Sequence, residues 1–393
     1  MKSLARSVAC ASVVLGGYML ASNSSVPPRI VGLTTFASVQ STALAIGRDT
    51  FRHDTFGDEQ LWTDKLQMHN VVENVTPVAA LGLGLRVDSD ALPPGFLASH
   101  SLNSASTTVA LLGLNAIVGL KATVNGNDVV RLGITCALCH STVDNSVTSG
   151  VGKRLDGWPN TQLDPGKIIA LSPVLSEVTK AVYRSWGPGM YDPRFNIDGI
   201  NDPVVIPPAF GLAGVDKEIY TGDGPISYWN NYVAVTQMGG QGTFIDTRIR
   251  IEIVQTPDLV ASKLPALRDY QLSLSTPPPP PGSFDRQAAK RGEVFFNHVA
   301  KCSTCHIPPT YTDVNLGILH APAETGMDPL YASRSATKKY RTTPLRALWQ
   351  HPPYFHDGSA ATLDEVVEHY VEELGLHLSR NQQRDLVEFL KTL

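Results

Sequence analysis

Lys301-Cys302-Ser303-Thr304-Cys305-His306 is the stretch on which the reading of this chain turns. Two cysteines separated by two residues, with a histidine directly after the second, form the attachment signature of a c-type haem. The thiols add across the two vinyl groups of the porphyrin, and the adjacent imidazole takes the iron from the proximal side. The pattern recurs at Cys136-Ala137-Leu138-Cys139-His140. Cys136 and Cys302 stand 166 positions apart, so each copy serves an iron of its own. A structural disulfide or half of a zinc site is the alternative for a lone Cys-x-x-Cys. Two copies, each followed by His and lying behind an export signal, favour haem. Cys136, Cys139, Cys302 and Cys305 are therefore read as cofactor-binding, and His140 and His306 as iron ligands.

The export signal is read from Lys2 and Arg6, the apolar run Val8 to Leu20, and the small polar stretch Ala21 to Ser25. Residues 1–25 are assigned to it, with Met19 blurring the cleavage position; retention as an uncleaved anchor is the alternative. The remaining cysteine, Cys10, lies within it. Export places the protein in a bacterial periplasm. The 393 residues, 42% of them hydrophobic, suffice for more than one core. A formal charge of −4 without a basic run speaks against nucleic acid as a partner.

The expected fold is mainly α, with two class I cytochrome c-like haem domains and long ordered loops. Pro277 to Pro281 form the clearest boundary, because consecutive prolines hold an extended, semi-rigid spacer. This gives an N-terminal haem domain over 26–275, a linker over 276–282 and a C-terminal haem domain over 283–393. Helices are expected at Ser41 to Ile46, Glu59 to Val71 and Arg286 to Ala300, and the apolar run Thr107 to Leu120 reads as a buried helix. Thr362 with Glu365 and Ser379 with Gln382 each have capping-box spacing, which predicts two C-terminal helices. The first of these carries Leu363, Val366, Val367, Tyr370 and Leu374 on one stripe. The second places Leu386, Val387, Leu390 and Leu393 where they can cross the helix before Cys302.

The segment Tyr340 to Arg346, then Pro353-Tyr354-Phe355-His356-Asp357-Gly358-Ser359, then Ala361-Thr362-Leu363 to His369-Tyr370, resembles the C-terminal half of the bacterial di-haem cytochrome c peroxidase and MauG superfamily. The resemblance implies one six-coordinate haem that relays an electron and one with an open face where peroxide is cleaved. It implies Tyr370 as the second ligand of the His306 iron, with His369 as competitor, and Arg346 as a cofactor-binding residue. It also implies a proline carbonyl, at Pro308, accepting from the proximal His306. The superfamily's catalytic Glu would fall at Gln237, in Thr236-Gln237-Met238; an amide hydrogen-bonds a ligand but moves no proton near neutral pH. The conducting Trp is not evident: Thr221 lies near its place, and Trp229 or Trp186 are the candidate substitutes.

Two covalent haems c and calcium are the implied cofactors, the calcium without nameable ligands. The implied partners are a small electron donor such as a cytochrome or cupredoxin, a small oxidant (peroxide or dioxygen), and a second copy in a homodimer. The leading expectation is a peroxidase-like haem oxidoreductase. The alternatives are a plain di-haem electron carrier and, since rubber oxygenases of the superfamily also lack the Glu, a dioxygen-using oxygenase.

Overall fold

Gly119 stands where the first long apolar run enters a strand. In the computed structural model, which describes residues 31–393, a Cβ at position 119 would lie 2.2 Å from the Leu138 backbone, and its φ is +81°. The expected helix Thr107 to Leu120 is therefore corrected. A helix spans Ala105–Gly113, the chain turns through Asn115 at φ 53°, and Leu120–Asn125 is a strand paired antiparallel with Asp128–Ile134. Gly126-Asn127 makes the hairpin turn, with Gly126 at φ 64°. This hairpin delivers the chain to Cys136.

The expected helix Glu59 to Val71 is likewise broken. A wide helical turn covers Gln60–Lys65, Gln67 adopts φ 54°, and a short helix resumes at His69–Val72. The break is held by burial: Trp62 is 6% exposed and its Nε1 donates to the Met238 carbonyl at 2.9 Å. Ser41 to Ile46 belong to a longer helix, Val31–His53. Residues 1–25, with the export signal and Cys10, lie outside the described residues. Among the described residues no helix is long and apolar enough to cross a membrane.

The protein is helix-rich, and its strands form five two-stranded ladders among the described residues. Ser41–Leu393 make one compact unit to which residues on both sides of the proline run contribute. The first Cys-x-x-Cys-His lies where two cores meet. Leu138 and Cys139 pack with Trp62, Leu112 and Trp186, while Ala137 and Cys136 pack with Phe51, Trp229 and Leu267. A third core joins Phe296, Leu348, Leu363, Val367, Leu386 and Leu390 beside Cys302.

The C-terminal helices follow the sequence closely. Arg286–Val294 is capped by Asp285, whose carboxylate accepts from the backbone N–H groups of Gln287 and Ala288; it runs on through a wide turn, Phe295–Val299. Phe296 is buried, but Val294 is exposed, because the helix turns that face away from the core. Leu363–Glu373 starts at Thr362, whose hydroxyl accepts from the Glu365 N–H at 3.2 Å. Glu365 reaches back to Ala361 instead of Thr362, so only half of the box closes. Ser379 and Gln382 close theirs completely at the head of Arg380–Leu390. This last helix crosses Arg286–Val294 at Gly292, where a Cβ would sit 1.9 Å from the Asp385 carbonyl oxygen. A two-pronged Arg291–Asp385 ion pair flanks the crossing.

Candidate functional site: two cysteine-histidine motifs and the segment between them

Each proximal histidine is fixed by a backbone carbonyl. His140 Nδ1 lies 3.1 Å from the Pro207 oxygen, and His306 Nδ1 lies 3.1 Å from the Tyr311 oxygen. A carbonyl only accepts, so both Nδ1 atoms carry hydrogen, and the Nε2 of His140 presents a lone pair; the His306 ring also meets the Thr343 carbonyl. Burial reinforces this by opposing the imidazolium, pushing His140 down to about 4 and lowering His306. A neutral imidazole, oriented through Nδ1–H, is the form that ligates a metal. The Pro308 expectation is corrected: Tyr311, three residues on and at φ 52°, turns its carbonyl toward His306. A proline carbonyl plays the part at the other motif.

Pro207 belongs to a segment that touches both motifs. Val205, Ile206, Pro207 and Pro208 line a cavity of about 380 Å³ that also contains Cys302, Cys305, His306 and Tyr370. The Val205 N–H is anchored by the His356 carbonyl at 2.8 Å. The strand Val204–Val205 pairs with Met190–Tyr191, which positions the segment on the side of the first motif.

The cavity is built as a receptacle for a flat apolar group with charged edges. Leu363, Val366, Val367, Tyr370, Val371 and Leu374 present one helix face to it, and Leu386 and Leu390 add the crossing helix. The Tyr370 phenol is pushed up to about 12, first by burial and then by the nearby Cys302 and Cys305 thiols. Its neighbour His369 does not line the cavity; its Nε2 donates to the Thr325 carbonyl at 2.8 Å and its ring packs on Phe355. Arg346 and Arg341 both face the cavity and share a single carboxylate, Glu218, at 3.3 Å and 3.1 Å. Burial pushes Arg346 down to about 10, and Arg341 Nε and Trp349 Nε1 are buried without a partner among the described residues. Free thiols, neutral imidazoles, an apolar slot and under-satisfied cations together fit a c-type haem carrying two propionates.

Cys305, Asp313 and His320 bring three potential ligand atoms within 4.8 Å of one another. They are not a metal centre of their own. His320 meets Asp313 through Nε2 at 2.9 Å and Glu324 through Nδ1 at 2.8 Å, so both nitrogens are engaged and the imidazolium is favoured.

No protein-family model matches the chain. Methylamine utilization protein MauG of Methylorubrum extorquens is 32% identical over 120 residues, covering 27% of this chain and 34% of that protein. Cytochrome-c peroxidase IdrP1 of Denitromonas iodatirespirans is 31% identical over 150 residues, covering 27% of this chain and 40% of that protein. The chain is a divergent relative of the di-haem peroxidases and MauG. It spans about a third of the length of the curated relatives it matches. Among solved structures, a Kuenenia stuttgartiensis hydrazine synthase superposes with a TM-score of 0.36 at 19% identity, over 54% of this chain and 78% of that one. A MauG-like protein associated with microbial copper homeostasis gives a TM-score of 0.28 at 21% identity, over 35% of this chain and 55% of that one.

The chain has an unusual group at position 237. Gln237 is 6% exposed and ends a wide helical turn, Val233–Gln237. Tyr191 donates to its Oε1 at 3.0 Å, and its Nε2 donates to Thr236 Oγ1 at 2.8 Å. Tyr191 packs in the same core as Cys139, which brings the Gln237 group toward the first motif. Thr221 is fully buried, Trp229 Nε1 donates to the Glu218 carbonyl at 2.9 Å and Trp186 Nε1 to Asn201 Oδ1 at 2.7 Å. Another aromatic contact lies beside the first motif. Trp158 follows Gly157, whose N–H donates to the His140 carbonyl at 2.8 Å, and its ring meets Trp349 edge-on at 5.8 Å.

Sequence reasoning missed Pro207, Tyr311, Tyr191 and Arg341. Only Arg341 had a local signal, since it stands in the same block as Arg346.

Proposed function

We propose that this chain is an exported di-haem c-type cytochrome acting as a peroxidase-like oxidoreductase. The observation that carries the reading is the pair of half-buried Cys-x-x-Cys-His motifs, each with free thiols and a histidine bonded through Nδ1 to a backbone carbonyl. When bound, haem would supply iron that changes oxidation state and reduces a small oxidant.

His306 and Tyr370, which line one cavity, would be the ligands of one iron, the ligand set of a site that stores an electron. A phenolate is a hard anionic donor and favours ferric iron, where a thioether would favour ferrous. His140 would hold the other iron, which would react with the oxidant. Arg346 and Arg341 would pair with propionates of the His306-side cofactor. A small cytochrome or cupredoxin would deliver electrons in the periplasm.

The dioxygen-using oxygenase is the second reading. It is favoured by Gln237, whose amide is neither a general acid nor a general base near neutral pH. The oxidised protein's electronic and EPR spectra test the proposal: one low-spin and one high-spin ferric iron are expected. Two low-spin irons would instead make the chain a simple electron carrier.

A further inference from the structure

The buried tyrosines differ in what can take the proton from their hydroxyl. Tyr220, Tyr232 and Tyr340 donate to the backbone carbonyls of Val205, Pro193 and Asp328, and Tyr191 donates to the Gln237 amide oxygen. Such oxygens accept a hydrogen bond but are no bases near neutral pH. Among the described residues, Tyr228 and Tyr270 donate to carboxylates instead, to Asp246 at 2.7 Å and to Asp156 at 2.5 Å. The Arg248 guanidinium lies 5.7 Å from the centre of the Tyr228 ring, where a cation opposes removal of an electron. The Tyr270 pair is the one beside the first motif.

Asp156 makes that connection. It is the cross-strand partner of Ser141, the residue after His140, and its Oδ1 accepts from Ser141 Oγ at 2.8 Å. Its Oδ2 accepts from Arg52 Nε and from the Tyr270 hydroxyl, the latter at a distance typical of a hydroxyl bonded to an ionised carboxylate. The Asp156 side chain is 4% exposed, so the carboxylate is held at the phenol with little competition from water. The Tyr270 ring meets Phe51 edge-on at 5.6 Å and shares a core with Cys136 and Ala137. At rest, burial and then the Asp156 charge hold the phenol well above its ordinary value, so the proton stays on the tyrosine.

We propose that Tyr270 and Asp156 form a redox-active pair serving the His140 site: after a peroxide has oxidised that site, Tyr270 gives it one electron and passes its phenolic proton to Asp156 Oδ2. The inference rests on the reading that His140 holds an iron that reacts with such an oxidant. A phenol that loses an electron becomes a strong acid, and the base already bonded to it takes the proton without rearrangement. The products are a neutral phenoxyl radical and a neutral carboxylic acid, and the charge removed with the electron leaves with the proton. One electron from the external donor, with return of the proton from Asp156, restores both side chains. Of the two oxidising equivalents that a peroxide brings, Tyr270 would thus keep one inside the core until the donor arrives.

Freeze-quench EPR of the holoprotein mixed with stoichiometric hydrogen peroxide, without an electron donor, tests this. A tyrosyl signal is expected in the native protein, narrowed when its tyrosines carry ring deuterium. Tyr270→Phe keeps the ring against Phe51 and should lose the signal at unchanged haem content. Asp156→Asn keeps the shape but not the base, and should slow the appearance of the signal about 10²-fold. Deuterium oxide should also slow it in the native protein, because the proton moves with the electron. A tyrosyl signal of native size in Tyr270→Phe would overturn the inference. So would an undiminished rate in both Asp156→Asn and deuterium oxide, or haem bands that respond to peroxide with no tyrosyl signal in the native protein. Haem bands that peroxide leaves unchanged would overturn the reading beneath the inference, and the inference with it, which separates the two failures.

Discussion

The imidazole of His140 is bonded to the carbonyl of Pro207, and Pro207 lines the cavity of His306. One peptide segment is therefore in contact with the ligand of one candidate iron and with the chamber of the other. Hydrogen bonding to a proximal imidazole tunes the basicity of the ligand. Occupancy of the second chamber should thus be felt at the first. A Cys302→Ala, Cys305→Ala variant, carrying haem only at the first motif, should show a shifted His140-iron spectrum relative to the native protein, and its mass should fall by one haem. An unaltered spectrum would mean that the segment does not couple the sites.

Tyr370→Phe should convert the His306 iron from low-spin to high-spin, as read by EPR of the oxidised protein. His369→Ala should not, because His369 is engaged with Thr325 and stands outside the cavity. The reverse outcome would transfer the ligand assignment to His369.

Gln237→Glu should raise peroxide turnover. Positioned acid–base groups are typically worth about 10²-fold to 10⁴-fold, and a carboxylate at this position would keep the Tyr191 donor. Rapid peroxide turnover by the unmodified protein, measured with a small cytochrome donor, would show that another residue moves the proton.

Asp58 predicts a pH dependence. It is fully buried without a cation, accepts from the Ile134 N–H through both oxygens, and burial pushes its carboxyl up to about 9. The folded state therefore holds a proton that the unfolded chain releases near 3.8. Stability from this group is fully present below that value and declines as pH rises toward about 9, with a limiting slope of about 1.4 kcal/mol per pH unit. Asp58→Asn, which imitates the protonated acid, should flatten the decline and raise the melting temperature at pH 8. A slope equal to the native one would show that Asp58 ionises in the fold.

Gly292→Ala should lower stability by about 1–3 kcal/mol, since the added methyl meets the Asp385 carbonyl of the crossing helix and must push the pair apart. Thermal unfolding measures it. An unchanged midpoint would mean that the helices adjust at no cost.

What the sequence made legible was local. Cys-x-x-Cys-His, the Ser379–Gln382 box and the stripe through Leu363, Val367 and Tyr370 each lie within a few residues, where spacing alone carries the geometry. The acceptors of the proximal imidazoles were not legible. A backbone carbonyl has no residue signature, and Pro207 is 67 positions from His140. Tyr191 and Gln237 are separated by 46 positions and meet only because a two-residue ladder and a wide helical turn place them. The hairpin before Cys136 was masked by the largely apolar character of Thr107 to Leu120. The close approach of Gly119 to Leu138, at the entry to the hairpin's first strand, exists only in three dimensions.

Arg341 and Arg346 face the cavity with Glu218 as the one carboxylate between them. Two positive charges against one negative leave a surplus that a closed, dry interior tolerates poorly. The chamber therefore resists collapsing on itself, and the chain is set to be finished by an anionic guest instead of by its own side chains. Maturation acquires an order from this imbalance: attachment at Cys302 and Cys305 should precede tight closure of the C-terminal helices. Protein made without the attachment machinery should accordingly lose protection of those helices in hydrogen exchange, and equal protection in both forms would refute that order.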